Sequence, residues 1–241
     1  MKLMPYFRSV RFWRQLHLWL SLLLSLQLLA WFGSGLVMSV LPIKEVRGDH
    51  LKKPAPEVEW HQARFSPAQL TALHPGAQLS LTQRGTVPVY QLQHGEKLMY
   101  FSALDGSRLE ALSENEVKTL ATARYNGNGT LKNSTLLSTL PLEARGLSLP
   151  LWQVQFQDAD NTVFYLEPVL GQLLRVRTDN WRLFDFVWML HIMDYRERDN
   201  FNNLLLIISS ASALLFTLSG IWLLVLTLGR KRLNTSHSAQ R

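Results

Sequence analysis

Two histidines are the residues of this chain best placed to do chemistry. His17 lies at the start of a long uncharged run, Gln15–Ile43, and His191 just outside another, Asn200–Gly229. Ionisable side chains at membrane depth are costly to keep and are functional candidates by default. Imidazole is also the usual neutral axial ligand of haem iron. His17 and His191 are therefore candidate axial ligands for b-type haem. One chain supplies one histidine per membrane face. A homodimer with a two-fold axis would supply two, because such an interface repeats every contact. A plainer role is open for each: His17 as an interfacial polar residue beside Arg14, and His191 bonded to Asp194 or to a backbone carbonyl within a helix of the headgroup layer.

Other chemistries find less support. The chain has no cysteine, which excludes disulfides, c-type haem attachment, iron–sulfur clusters and cysteine-ligated zinc. His50, His61, His74 and His94 are irregularly spaced and lack the close pairing of a zinc helix. Asp158, Asp160 and Asn161 lack the glycine and distal glutamate of a calcium loop, and read as a solvated hairpin tip. Asn126 to Gly129 lacks the Lys-Ser/Thr of a phosphate loop, and no serine sits in a nucleophile elbow. The run Asp194 to Asp199 sums to zero charge and reads as a solvated junction.

The elements that must position the histidines are the two runs themselves. They hold 29 and 30 residues without a charge, and a helix needs about 20 to cross the lipid bilayer core. The segments flanking them outward, with Lys2, Arg8, Arg11 and Arg14 before and Arg230, Lys231, Arg232 and Arg241 after, carry +8, while everything between carries −1. The basic surplus is a tail effect and not the footprint of a nucleic acid partner. Basic flanks stay in the cytoplasm, so both termini are expected there, with the middle of the chain outside. The first run exceeds the roughly 7–15 apolar residues of a signal peptide and is expected to remain as an anchor. Within the spans, His17, Ser21, Ser25, Gly35 and Ser39 fall near one stripe, and Ser209, Ser212, Phe216, Ser219 and Gly220 near another. Stripes of small residues let helices approach closely.

The expected organisation is a cytoplasmic tail at 1–14, a span at 15–41, a proline-stiffened linker at 42–59, an extracytoplasmic domain at 60–178, an amphipathic juxtamembrane helix and junction at 179–200, a second span at 201–229 and a cytoplasmic tail at 230–241. In the juxtamembrane segment, Phe184, Trp188, His191 and Tyr195 share one helical face. The middle domain reads as α+β. Ser66-Pro67 opens a short helix, with Ser66 as cap. Strands follow at Ala77–Arg84, Val87–Gln93 and Lys97–Leu104, then a capping box at Ser113–Glu116 opens a second helix.

An internal repeat is visible. Pro88-Val-Tyr-Gln-Leu-Gln93 resembles Pro150-Leu-Trp-Gln-Val-Gln155. Each copy closes on a glycine with leucine three residues later, Gly106 with Leu109 and Gly171 with Leu174. A helix followed by a strand hairpin that closes with an acidic residue near a turn glycine resembles the PepSY domain. Val163-Phe-Tyr-Leu-Glu-Pro-Val-Leu-Gly171 carries that likeness best, with Leu104-Asp-Gly106 looser. Arg14-Gln-Leu-His17-Leu-Trp19 and Leu190-His-Ile-Met-Asp194 resemble PepSY-associated transmembrane proteins.

The resemblance implies a bacterial inner-membrane protein with a periplasmic module of two PepSY-like units. Relatives of this kind include proteins suggested to restrain peptidases and multi-span reductases of iron–siderophore complexes that carry b-type haem. The expected role is an accessory binding or regulatory module for an iron-uptake or membrane redox partner. A haem electron-transfer subunit and a peptidase restraint stand beside it. The chain has two spans where the reductases have more.

Overall fold

The computed structural model describes residues 10–238 of the chain; residues 1–9 and 239–241, which belong to the expected basic tails, lie outside it. The chain divides into two compact units. One contains Met1–Val40 with Phe184–Arg241, and the other is Leu41–Leu183.

The first unit is built on two long helices, α1 (Val10–Val40) and a last helix (Leu204–Ser238). Among the described residues these are the two helices long and apolar enough to cross a membrane, the last through Leu204–Leu228. Hydroxyl groups along both helices turn back onto their own backbone: Ser21 to the Leu18 carbonyl, Ser25 to Leu22, Thr217 to Ala213. A local bond of this kind satisfies a polar group where no water can reach it. Pro42 ends α1, since the residue before a proline is disfavoured in helix.

The covered face of α1 steps by three and four residues, through His17, Leu20, Leu24, Gln27, Trp31 and Ser34. The last helix answers with Leu206, Ser209, Ala213, Phe216, Gly220 and Leu223. This is the 3.5-residue period of a left-handed helix pair. The stripe expected on α1 departs from it. Ser25 and Ser39 are exposed, because steps of four residues drift about 40° each around a 3.6-residue helix. The stripe expected on the last helix contains the partly covered Ser209, Ser212, Phe216 and Gly220 and the buried Ser219.

The second unit is α+β, with two antiparallel sheets. Helix α2 (Pro67–Leu73) precedes a sheet of β1 (Gln78–Arg84), β2 (Val87–His94) and β3 (Lys97–Ser102), in that order. Helix α3 (Glu114–Arg124) precedes a sheet of β4 (Thr130–Leu137), β5 (Leu151–Gln157), β6 (Val163–Leu166) and β7 (Leu173–Arg177). Alternation gives each sheet its apolar face. Tyr90, Leu92, Met99 and Phe101 pack with Leu70 of α2, while Trp152, Val154, Phe156 and Phe164 pack with Val117 and Ala121 of α3. Helix α4 (Asp179–Ile192) follows and runs into the first unit, and the last helix is α5.

The repeat is present in the backbone. Gly106 donates to the Ser102 carbonyl and Ser102 to Ser107; Gly171 donates to Glu167 and Glu167 to Gln172. The two pairs of bonds correspond at a constant offset of 65 residues. Both glycines have positive φ, 77° and 66°, which is why the turn needs them. In the first copy the returning chain makes a single bridge, Arg108 to Phe101, where the second copy forms the whole of β7.

Caps and edges show where local reading holds. The capping box is complete: Glu116 donates its amide to Ser113 Oγ and accepts from the Ser113 amide at 2.8 Å. Ser66 sits at the N-cap of α2 but makes no side-chain cap bond, and Pro67 alone opens that helix. The expected linker is partly folded. Val46 and Leu51 are 2 % and 6 % exposed, and the Lys53 amide donates to the Arg124 carbonyl at 2.7 Å. Two apolar side chains in a polar stretch are enough to draw it onto the unit.

Candidate functional site

His17 and His191 each sit against a Ser-Gly pair on a facing helix. His17 Nδ1 lies 2.8 Å from Ser219 Oγ and 3.2 Å from the Phe216 carbonyl. Its ring stacks on Phe216 with centroids 4.3 Å apart. His191 Nδ1 lies 3.0 Å from Ser34 Oγ. The two serines are among the least exposed polar residues, Ser219 at 1 % and Ser34 at 4 %. Gly220 and Gly35 follow them and make room for the rings. A Cβ at position 220 would stand 3.0 Å from His17 Cε1, and one at position 35 would stand 3.7 Å from His191 Cε1.

In both sites Nδ1 shares its serine oxygen with a helix carbonyl. Each serine hydroxyl donates to a carbonyl of its own helix, Ser219 to Phe216 at 2.7 Å and Ser34 to Trp31 at 3.1 Å. Each serine oxygen so bonded can accept from the Nδ1 beside it. The Phe216 carbonyl, which can only accept, fixes His17 Nδ1 as a donor. That leaves the His17 lone pair on Nε2, and in neither ring does Nε2 make a hydrogen bond among the described residues. A metal-ligating histidine has this form, with one nitrogen held by a hydrogen bond and the other bare. The donor chemistry thus fits axial ligation. Each site supplies a single nitrogen, and among the described residues no group of three metal-binding side chains forms. The two sites are separated by the α1 span from His17 to Ser34, or about 25 Å at 1.5 Å per residue.

His191 is held further by its backbone. Trp31 Nε1 donates to the His191 carbonyl at 2.8 Å, and Asn203 Nδ2 donates to the Ile192 carbonyl at 2.9 Å. These are carbonyls of a helix end, which lack intrahelical partners. Asn203 also caps α5 by accepting from the Leu206 amide at 2.8 Å.

The stretch after His191 folds on itself, with Tyr195, Arg196, Glu197 and Asp199 exposed as a solvated junction would have them. Asp194 accepts from the amides of Arg196, Glu197, Asp199 and Asn200. These bonds, that from Asn200 first, hold its carboxyl down at about 2. Arg198 meets Asp185 at 2.5 Å, with Asp185 only 3 % exposed. Trp188 donates its indole N–H to the Arg198 carbonyl and packs edge-on against Phe201, and Phe184 stacks on Trp188 at 6.4 Å. Phe184 and Trp188 therefore face apolar neighbours. Tyr195 does not join them: Met193 has φ 55°, the helix ends at Ile192, and Tyr195 is exposed. Asp194 bonds its own loop and not His191.

The hairpin tip in the second unit is engaged as well. Asp158 accepts from the Tyr125 hydroxyl at 2.6 Å and from the Thr162 amide at 2.9 Å. Burial first, and then the Asp158 bond, push the Tyr125 hydroxyl up to about 12. Asn161 Nδ2 donates to Asp179 at the start of α4.

The second unit also holds a cleft of about 790 Å³. Its walls are the extended Lys53–Pro56 segment, Leu81 to Gln83 of β1, the end of α3 at Leu120 to Arg124, and the turn at Leu170 to Leu173. Gln83 Nε2 ties the first wall by donating to the Pro56 carbonyl, and Gln172 Nε2 ties the last by donating to Thr82 Oγ1 at 3.0 Å. Lys53 and Arg124 are the charged lining residues, and no lining residue is acidic. Arg124 Nη1 is buried without a hydrogen-bond partner among the described residues, and burial lowers the guanidinium pKa. Sequence reading passed over Arg124 because nothing in its neighbourhood shows that the chain will close around it. Ser34 and Ser219 left a trace, the Ser-Gly dipeptide that occurs in both spans.

Comparison with family models, with curated proteins and with solved structures gives no match to this chain.

Proposed function

We propose that this chain is a bacterial inner-membrane protein of PepSY type. In this reading two helices anchor a periplasmic module of two PepSY-like units, and the module binds or regulates a partner in an iron-uptake or membrane redox system. The observation that carries the reading is the cleft of the α+β unit, where Arg124 and Lys53 line an otherwise uncharged space. Pockets with a few convergent polar groups in apolar walls are the usual form of a binding site. The basic flanks of the spans support an outward-facing module. Reporter fusions after Gly129 are expected to read as extracytoplasmic and fusions after Arg241 as cytoplasmic. A cytoplasmic signal at Gly129 overturns the reading.

A second reading has a specific observation in its favour, the bare Nε2 of both histidines. In this reading His17 and His191 hold b-type haem near opposite membrane faces, with a homodimer supplying the second ligand at each. Haem so held would carry single electrons, and the residues of this chain would orient its ligands through Ser219 and Ser34. Purified protein would then show a reducible Soret band, and His17→Ala and His191→Ala would each remove about half of it. Colourless protein from haem-sufficient cells leaves the binding role alone.

A further inference from the structure

We propose that the cleft of the α+β unit takes the extended C-terminal end of an apolar polypeptide, pairing it with the free edge of β1 and holding its terminal carboxylate at Arg124 and Lys53. The inference rests on the reading of this unit as a binding module, and it names the ligand class.

Strand β1 is an edge strand, paired with β2 on one side. Its register places Gln83 opposite Pro88, Thr82 opposite Val89 and Leu81 opposite Tyr90. Pro88 has no N–H, so the Gln83–Pro88 pair cannot be one that exchanges hydrogen bonds. The Pro88 carbonyl is turned the other way, accepting from Ala103 on the β3 side at 3.1 Å. Bonded and non-bonded pairs alternate along an antiparallel ladder. Leu79, Leu81 and Gln83 therefore aim their backbone N–H and C=O groups away from β2. These groups have no backbone partner among the described residues.

The cleft lies along this edge. Leu81, Thr82 and Gln83 all line it, yet successive strand residues point to opposite faces. A cavity that touches three in a row wraps the strand's edge and not one of its faces. Natural edge strands are commonly blunted by charges, proline or a covering segment. Here Gln78–Arg84 has one charge, at its last residue, and Leu81 is 57 % exposed. An added strand would gain main-chain bonds from the edge and side-chain contacts from Leu81 and Leu173.

Charge selects the end of that strand. Arg124 is half-buried, its Nη1 is covered without a hydrogen-bond partner among the described residues, Lys53 stands on the same cleft, and the lining has no carboxylate to answer either. A guanidinium accepts a carboxylate through paired, charge-assisted bonds. A polypeptide terminus brings that carboxylate together with a backbone able to pair with β1.

The test uses the full chain in nanodiscs. Two pools of fluorescent hexapeptides, with the last four positions drawn from Ala, Val, Leu and Phe, carry either a free carboxylate or a C-terminal amide. The acid pool is expected to bind saturably by anisotropy. Amidation should weaken binding about tenfold, the size of one charge-assisted hydrogen bond. Arg124→Gln and Lys53→Gln should each shrink the difference between acid and amide. N-methylation of alternate peptide amides should abolish binding in one of the two phases, since only one edge of the peptide meets β1. Equal binding of the two pools overturns the proposal, as does saturable binding of neither pool. So does binding of hexadecanoate that no peptide of either pool displaces. The acid–amide comparison is made on the unaltered protein, so a variant that misfolds does not rescue or sink it. A Gly129 fusion that reads as cytoplasmic removes the periplasmic module and leaves this binding assay standing; a failed assay with the expected topology removes the ligand class alone.

Discussion

The two histidine sites use the same parts and are not equally tight. Each places Nδ1 on a buried serine and a ring against the glycine that follows it. His17 is held by side-chain packing: a stacked Phe216 and a glycine where a methyl group would fit only tightly. His191 is held by its surroundings: Trp31 on its carbonyl and the folded stretch from Asp185 to Asn203 around it. At one end the helix pair itself forms the site. At the other, a loop folded by its own polar bonds does so. The same ligand-like geometry can therefore rest on two different supports, and each support has its own way to fail.

The largest expected effect breaks the second support. Asp185→Ala leaves Arg198, whose Nε is buried without a hydrogen-bond partner among the described residues, without the carboxylate it meets. Removing one member of a buried pair costs about 3–5 kcal/mol. Hydrogen exchange in detergent should then rise across residues 191–206 while protection around residues 216–220 stays. Equal loss at both ends would mean that the two sites unfold as one.

The glycines sharpen the contrast. Gly220→Ala puts a methyl group 3.0 Å from His17 Cε1, so the ring must give by a few tenths of an ångström, at a cost of about 1 kcal/mol. Gly35→Ala meets His191 at 3.7 Å, an ordinary contact, and should stay within about 0.5 kcal/mol of neutral or gain from helix propensity. Thermal unfolding of the two variants side by side decides this. A reversed order would show that the ring of His17, and not that of His191, has freedom to move.

The smallest effect is one of acidity. Asp194 has its carboxyl held at about 2 against an ordinary 3.8 by the amides of its own loop. A depressed acid contributes stability that is present above the unfolded value and is lost as pH falls through the folded one. The His191 end should therefore loosen between about pH 4 and 2. Asp194→Asn should abolish that component of the profile. A His17 end that loosens first on acidification would contradict the division of supports.

Much of the scaffold was legible in the residues. The capping box at Ser113, the strands β1 to β3, the 65-residue repeat and the two apolar helices all rest on neighbours a few residues apart. The stripe through Ser25 and Ser39 was misread because a step of four tracks a helix only briefly. Tyr195 was placed on the face of Phe184 and Trp188 because nothing nearby announces that Met193 takes a left-handed backbone. Asp194 was read as a partner for His191 or a solvated charge, and its real partners are amides two to six residues ahead.

By itself the sequence determined where the apolar helices run, which segments pair into hairpins and which glycines turn them, because periodicity, charge exclusion and φ preference act locally. Only the tertiary structure decided the states of His17 and His191, whose serine partners lie 202 and 157 residues away. It also decided that Arg124 Nη1 would be covered on a cleft beside the edge of β1. Hydrogen bonds and burial reward contacts in space without regard to separation along the chain, so these choices exist only once the helices and sheets have closed.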